Sequence, residues 1–308
     1  MLPFRPINIS DKKACDEIIK PLNSLLCAHC FVDLFIWKGA YDTQICIKDG
    51  FVLLKQRLGD ETIYTFPLGK GDTKKAIEDL IEDAKDRGVE FNLAAINKEQ
   101  KEELEKILPD SFEFVERRDS QDYIYSSESL MTLSGKKLHS KRNFINRFKS
   151  ENEGNWEYED ITKENIHEVF EYHLSWCALN KDNEDDDFFN ETCAISLALK
   201  NMEKLELKGG LLRLNGKVIA FTLGSRANEE MFIVHIEKAD YTVSGSYQMI
   251  NNQFAIHNFE GIKYIDREED LGLEGLRKAK LSYNPIMLSE NYSAVIKLEV
   301  ANATKMRT

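Results

Sequence analysis

Residues 242–248 (TVSGSYQ) place a glycine and two serines directly before a predicted helix. The first backbone N–H groups of a helix have no partner within the helix and lie at the positive end of its dipole, so they suit phosphate oxygens. We therefore predict a phosphate contact at five residues of this turn: Ser244, Gly245, Ser246, Tyr247 and Gln248. The alternative is that Ser244 and Gly245 only cap the helix.

Two ionisable residues, His235 and Glu237, alternate on the strand predicted just before this turn, so their side chains share one face. An imidazole or carboxylate here can accept a proton from an attacking amine if its pKa lies near the working pH. Both are candidate catalytic residues. The alternative is a buried His–Glu pair in which the two side chains satisfy each other.

An acidic segment at 266–270 (DREED) follows the strand predicted at 262–265. Ligands of open α/β sheets bind beyond the carboxyl ends of the strands. This position makes five residues candidates for substrate binding: Arg267, Glu268, Glu269, Asp270 and, on the next helix, Arg277. Carboxylates here would hold a cationic amine such as a lysyl group, and an ordinary solvated loop is the alternative.

A basic segment at 135–149 (GKKLHSKRNFINRFK) carries six Lys or Arg residues and no acidic residue. Its apolar residues have helical spacing, which predicts a bridging helix at 135–150. Lys141, Arg142 and Asn143 are candidate contacts for the phosphate of a tRNA acceptor end, a nucleotide or a lipid headgroup. Alternatively, these residues neutralise the acidic segment.

Hydrophobic periodicity predicts the elements that position these residues. The C-terminal part reads β-α-α-β-β-β-α-β-α-β-β, with a hairpin turn at Asn215-Gly216, and the N-terminal part repeats this order more faintly around Asp49-Gly50. This is the order of the GNAT fold, whose mixed sheet splays open between its fourth and fifth strands. We predict an α/β (α+β) protein of two fused GNAT-like domains, 1–134 and 151–308, with the active site in the second.

Three segments carry a family resemblance: SGKKLHSKRNFINRF, HIEKADYTVSGSYQMINNQFA and DREEDLGLEGLRKAKLSYNP. They resemble a family of bacterial cytoplasmic proteins related to the C-terminal domain of phosphatidylglycerol lysyltransferase. The resemblance covers nearly the whole chain and extends to the Fem peptidyltransferases, which move amino acids from aminoacyl-tRNA. It implies tandem GNAT domains in which an amine attacks an activated acyl carbon. The large membrane-embedded half of the lysyltransferase has no counterpart in this sequence.

The resemblance also implies roles for two residues near the last helix. GNAT enzymes carry Ala-x-x-x-Tyr there, here Ala279 and Tyr283, and that tyrosine protonates the departing thiolate. The stretch from Lys278 to Asn284-Pro285 resembles the Lys-x-Lys-Phe-Asn-Pro of the lysyltransferase, in which a lysine serves aminoacyl-tRNA or phosphate binding. Tyr283 and Lys280 are thus predicted catalytic residues. For Tyr283 the alternative is a core tyrosine with a hydrogen-bonded hydroxyl.

The acyl donor stays open between acyl-coenzyme A and aminoacyl-tRNA. GNAT enzymes usually show Gln/Arg-x-x-Gly-x-Gly/Ala at the phosphate turn, whereas this chain has Thr242, Gly245 and a bulky Tyr247. The tyrosine disfavours coenzyme A, and the basic helix favours tRNA. The alternative to a transferase is a non-catalytic tandem-GNAT module that binds a small anionic ligand.

Composition narrows the class of protein further. A net charge of −12 over 308 residues argues against indiscriminate coating of nucleic acid, although a local basic site is compatible with it. No run approaches the roughly 20 apolar residues of a membrane span, no secretory signal is evident, and six cysteines form no disulfide pattern. We expect a cytoplasmic protein. No metal is expected, because Cys27-x-x-Cys30 lacks a second ligand pair and the acidic run at 182–187 lacks EF-hand spacing.

Overall fold

The computed structural model describes residues 1–179 and 186–297, so much of the acidic run at 182–187 lies outside the described residues. The chain forms two compact units. The first is Met1–Gln121 with the segment that starts at Ser289, and the second is Asp122–Leu288. This division differs from the linear one expected at 134 and 151, because residues 122–150 belong to the second unit.

The described strands, in chain order, are β1 (Arg5–Pro6), β2 (Gln44–Lys48), β3 (Phe51–Leu58), β4 (Glu61–Thr65), β5 (Leu68–Gly69), β6 (Asn92–Ile96), β7 (Phe112–Glu116), β8 (Tyr123–Ser126), β9 (Trp156–Asp160), β10 (Lys208–Leu214), β11 (Lys217–Arg226), β12 (Met231–Ala239), β13 (Tyr264–Asp266), β14 (Met287–Leu288) and β15 (Tyr292–Ile296). The described α-helices are α1 (Lys12–Ile19), α2 (Phe31–Ile36), α3 (Lys38–Tyr41), α4 (Thr73–Arg87), α5 (Lys98–Ile107), α6 (Ser127–Thr132), α7 (His139–Glu151), α8 (Ile166–Leu179), α9 (Asp186–Lys200), α10 (Met202–Leu205), α11 (Ser246–Asn258) and α12 (Glu274–Leu281). Most of them match the periodicity of the sequence.

The first unit is built on a mixed sheet in the order β1-β2-β3-β4-β6-β15-β7, with β5 paired to β3. The predicted hairpin between β2 and β3 turns at Asp49 and Gly50, which both have positive φ (51° and 82°). That geometry is the type I′ turn that a twisted hairpin prefers. The core of the unit lies between this sheet and α4, whose Ile77 and Leu80 are fully buried.

The second unit contains a seven-stranded sheet in the order β14-β8-β13-β12-β11-β10-β9. Its β10–β11 hairpin turns at Asn215 and Gly216, again with both φ angles positive (51° and 76°). The β12–β13 pair is parallel, and the other pairs are antiparallel. Helix α11 follows β12 and packs its buried Met249, Ile250 and Phe254 into the core of the unit.

Each sheet receives a strand from the other part of the sequence. Strand β8 precedes the rest of the second unit yet lies between β13 and β14 in its sheet, and β15 ends the described chain yet lies between β6 and β7 of the first sheet. The predicted domain bounds, 1–134 and 151–308, instead place β8 in the first domain and β15 in the second. Periodicity identifies a strand but not its partners, because the side-chain alternation is the same on any sheet.

The basic segment forms α7, as the apolar spacing predicts. Its Ile145 and Phe148 are buried in the core of the second unit, so the helix is part of that unit. Among the described helices, none is both long and apolar enough to cross a bilayer.

Candidate functional site

Strands β12 and β13 diverge inside the second unit. They pair at three positions only, Met231 with Tyr264, Phe232 with Ile265 and Ile233 with Asp266. Beyond Ile233, β12 continues to Ala239 without β13 beside it. This divergence is the splay that the GNAT fold predicts, and His235 and Glu237 both lie in the diverging part of β12.

A histidine–glutamate pair, His235 with Glu268, spans the divergence two residues beyond the last β12–β13 pair at Ile233. His235 Nδ1 lies 3.0 Å from Glu268 Oε1, and its Nε2 lies 2.8 Å from the hydroxyl oxygen of Ser225 on β11. The imidazole is buried, which lowers its pKa to about 3 and keeps the ring neutral. In the matching tautomer, Nδ1–H donates to the carboxylate and Nε2 accepts from Ser225. Both ring nitrogens are therefore engaged, with Glu268 rather than Glu237 as the carboxylate partner.

A second pair spans the divergence two residues further along β12. Arg267 Nη2 donates to Glu237 Oε1 at 2.8 Å, and the Asn251 side-chain amide on α11 donates to Glu237 Oε2 at 2.9 Å. The Arg267 and Glu237 side chains are each only 12% exposed. The predicted base and one predicted substrate-binding residue thus meet in a single buried ion pair.

Two polar atoms beside Glu237 have no hydrogen-bond partner among the described residues. They are Arg267 Nη1, a donor, and Asn251 Oδ1, an acceptor, and both are buried. A buried polar group without a partner costs roughly 1–3 kcal/mol, so such groups usually belong to binding sites or hold unseen water. These two atoms therefore leave one donor and one acceptor of the cluster without a partner among the described residues.

Tyr283 lies beside this cluster between two cationic groups. The Arg267 guanidinium carbon is 4.8 Å from the centre of its ring, and Lys141 Nζ is 4.1 Å from the same point. Burial raises the pKa of Tyr283, so its phenol stays protonated, as a proton donor must. Lys141 donates to the Ser282 hydroxyl at 2.6 Å, and its burial together with the Arg267 charge lowers the pKa of its ammonium.

Lys280 on α12 contacts the backbone of the loop that carries Arg267 and Glu268. Its ammonium donates to the carbonyl oxygens of Arg267 at 2.6 Å and Glu268 at 3.0 Å, and also to that of Glu269. All three N–H donors of the ammonium are thereby used within the loop.

Asp270 and Arg277, two of the predicted substrate-binding residues, form an internal pair. The Asp270 carboxylate accepts from Arg277 Nε at 2.8 Å and Nη2 at 2.9 Å, and from the Tyr123 hydroxyl at 2.5 Å. The guanidinium and these other donors hold the pKa of Asp270 well below its usual range. This pair fixes the end of the loop to α12.

One residue of the predicted phosphate turn, Gly245, packs closely against α7, whereas Ser244 beside it is exposed. Gly245 has φ +86°, and a β-carbon added to it would lie 2.8 Å from the Phe144 carbonyl oxygen and 3.2 Å from Phe148 Cβ. The Ser246 hydroxyl donates to the Asp240 carbonyl at 2.6 Å. The glycine therefore allows two helices to approach closely, which is a packing role for this residue, and the phosphate contact of the turn stays a prediction.

The remaining candidates on α7 differ in their partners. Arg142 donates to the carbonyl oxygens of Leu133 and, at 2.9 Å, Gly135, so it caps the end of α6. Asn143 is exposed and lies 3.2 Å from the imidazole of His139. Of the three predicted contacts on this helix, Lys141 alone joins the cluster around Tyr283.

Sequence reasoning missed two residues of the cluster, Ser225 and Asn251. Both are neutral and lie within mostly apolar segments. The signal for Asn251 was the run Asn251-Asn252-Gln253 inside a helix with apolar residues on either side, since buried amides need partners.

Comparison with known proteins identifies the family of the chain. The family described as "Phosphatidylglycerol lysyltransferase, C-terminal" matches residues 20–295. The chain belongs to this family. A conserved protein of unknown function from Bacteroides thetaiotaomicron is 41% identical, with a TM-score of 0.92 over 96% of this chain and 100% of that one.

More distant structures share the fold of the lysyltransferase C-terminal family. The structure of L-PGS from Bacillus licheniformis is 16% identical over 89% of this chain and 95% of that chain, with a TM-score of 0.58. A tandem GNAT protein from the clavulanic acid biosynthesis pathway aligns at 7% identity and a TM-score of 0.50, over 96% and 98% of the two chains. The fold of the chain is therefore that of tandem GNAT proteins.

One curated relative, an uncharacterised protein of Mycoplasmoides gallisepticum, is 28% identical over 183 residues. The match covers 56% of this chain, and the chain spans only 55% of that relative's length.

Proposed function

We propose that the second unit transfers an aminoacyl group from aminoacyl-tRNA to an amine or hydroxyl acceptor. The observation that carries the proposal is the buried cluster in the β12–β13 divergence. There the Glu237 carboxylate lies between an unpaired donor, Arg267 Nη1, and an unpaired acceptor, Asn251 Oδ1. These groups match what acyl transfer to an amine requires.

Each group has a specific role in the proposed reaction. Arg267 Nη1 donates to the acyl carbonyl oxygen and stabilises the negative charge that develops on it. Asn251 Oδ1 accepts a hydrogen bond from the attacking amine, and Glu237 takes the amine proton as the N–C bond forms. The bond between the acyl carbon and the 3′-oxygen of the tRNA then breaks, and Tyr283 protonates the departing oxygen. In this scheme His235 and Lys280 position the loop that carries Arg267.

Two features favour aminoacyl-tRNA over acyl-coenzyme A as the donor. Gly245 packs against the backbone of α7, and a bulky Tyr247 stands where coenzyme A enzymes usually carry Gly or Ala, which together disfavour a pyrophosphate at this turn. Helix α7 also keeps Arg147 and Lys149 exposed, which suits contact with tRNA phosphates. We assign the acceptor end of tRNA as the partner of this helix.

A non-catalytic binding module is the second candidate function. The two side-chain pairs that span the divergence favour it, because both ring nitrogens of His235 and both carboxylate oxygens of Glu237 are already hydrogen-bonded, which disfavours proton transfer by either group. Such a module would use the same unpaired atoms to bind a small anion. It predicts a rise in melting temperature with ligand but no turnover.

The experiment is a transfer assay with charged tRNA. Purified protein is incubated with tRNA charged with a mixture of radiolabelled amino acids, or with labelled acetyl-coenzyme A, and with a small-molecule and lipid extract that supplies acceptors. Label should leave tRNA and enter the extract. Glu237→Gln should reduce the rate by about 10²–10⁴-fold, as expected for loss of a general base.

The matched control is Glu274→Gln, the same change at an exposed carboxylate on α12 whose side chain is 80% accessible. It should leave the rate unchanged. Transfer from neither donor, or equal transfer by the two variants, would show that the cluster does not carry the reaction.

A further inference from the structure

Lys280 on α12 is a buried cation, only 8% exposed, whose ammonium makes three hydrogen bonds. We propose that Lys280 is a positioning residue that holds the loop 267–269 in the shape the proposed site requires, and that it does not bind the donor. This role differs from the donor or phosphate contact that the family resemblance implies for this lysine.

The geometry of the ammonium supports this role. Its three N–H groups meet the carbonyl oxygens of three successive residues, Arg267, Glu268 and Glu269. An ammonium has three donors and no acceptor, so this arrangement leaves none for a phosphate. Three successive carbonyls converge on one point only when the backbone curls around it, and Glu268 accordingly has a positive φ of 58°.

The loop is strained without such a partner. A non-glycine residue in the left-handed region is disfavoured, and carbonyl oxygens that converge without a donor add to that cost. Lys280 therefore offsets a conformation that the loop would otherwise leave. The Asp266 carboxylate supports the same curl, because it accepts from the Glu268 backbone N–H at 2.6 Å.

The curled loop brings two of its side chains into contact with β12. Arg267 reaches Glu237 at 2.8 Å, and Glu268 reaches His235 at 3.0 Å. These residues are neighbours in sequence, and their side chains meet residues two positions apart on β12. One buried ammonium thus sets both pairs that define the proposed site.

The substitution Lys280→Arg distinguishes a lysine that positions the loop from a lysine that binds the donor. Guanidinium keeps the positive charge and binds phosphate well, so a lysine that contacts donor phosphate tolerates this change. Its planar set of donors cannot converge on three carbonyl oxygens around one nitrogen. Lys280→Arg should therefore fail as fully as Lys280→Gln if the lysine holds the loop.

The first test measures the loop directly and is independent of the proposed function. Amide hydrogen exchange of peptides covering 266–272 is compared for the wild type, Lys280→Arg, Lys280→Gln and the control Lys278→Gln, whose side chain is 73% exposed on the same helix. We expect both changes at 280 to speed exchange by about tenfold or more, because the loop opens locally. The control should match the wild type.

A second readout reports on His235. The ¹⁵N shifts of its imidazole should show Nδ1 protonated in the wild type, with exchange between tautomers in both variants at 280. Unchanged exchange and shifts in Lys280→Gln would overturn the proposal, as would full retention of the wild-type loop in Lys280→Arg.

The kinetic arm rests on the proposed function, since it uses the aminoacyl transfer assay. Both variants at 280 should lose transfer to a similar extent. If Lys280→Arg keeps transfer while Lys280→Gln loses it, the lysine binds the donor and our inference is wrong. If the wild type shows no transfer, the proposed function fails, and the exchange and shift measurements still decide the role of Lys280.

Discussion

Replacing Gly245 by alanine tests whether α7 packs closely on the start of α11. The residue has φ +86°, and an added β-carbon would lie 2.8 Å from the Phe144 carbonyl oxygen and 3.2 Å from Phe148 Cβ. A β-carbon in the left-handed region costs about 1–2 kcal/mol. The clash with main chain forces one helix to shift, and such overpacking costs about 1–3 kcal/mol more. The variant should lose on the order of 3 kcal/mol of unfolding free energy.

Gly261→Ala is the matched control for this prediction. Gly261 belongs to the same unit and has φ +74°, but an added β-carbon would have no atom within 4 Å. The control should lose only the backbone part, about 1 kcal/mol. The assay is urea unfolding with both variants fitted at a common slope. Equal losses would refute the reasoning, because they would mean that α7 does not pack closely on Gly245.

Three further predictions concern the cluster and its surroundings. Tyr283→Phe should lower transfer by about 10²-fold or more while the fold is kept, measured by the rate of transfer and by circular dichroism; a rate near that of the wild type would favour the binding module. Burial lowers the pKa of His235 to about 3 in the folded state, so the unfolded state binds more protons below pH 6.5. Stability from this group should be complete above pH 6.5 and fall as pH drops towards 3, by at most roughly 1.4 kcal/mol per pH unit, and His235→Gln should flatten the slope in urea unfolding between pH 7 and 4. Asp270→Asn removes the buried carboxylate that faces Arg277 and should cost on the order of 2–3 kcal/mol at neutral pH, and a loss below 0.5 kcal/mol in the same assay would contradict the ion pair.

Local patterns predicted most of the elements, because hairpin turns and helix faces are encoded by neighbouring residues. Asn215-Gly216 and Asp49-Gly50 form the turns expected of them, with both φ angles of each pair positive. Local patterns do not predict that β8 joins the second sheet and that β15 joins the first. Both strands alternate as any half-buried strand does, and the choice of partner depends on contacts more than 100 residues apart in sequence.

The candidate site was predictable in its charged members but not in their pairing. The shared face of His235 and Glu237 follows from strand alternation, and the loop 266–270 follows from its place after a strand. The sequence does not show that Glu268 meets His235 and that Arg267 meets Glu237, because this depends on the curl imposed by Lys280.

Binding of an aminoacyl-adenosine analogue tests the central claim most directly. The probe is adenosine carrying an amino acid through a 3′-amide, which cannot be transferred, titrated by calorimetry into the wild type and Arg267→Met. The account predicts saturable binding to the wild type and binding weaker by about tenfold or more in the variant, because the charged hydrogen bond from Nη1 is lost. Equal affinities in the two proteins, or no binding to the wild type, would contradict an acyl site at this cluster.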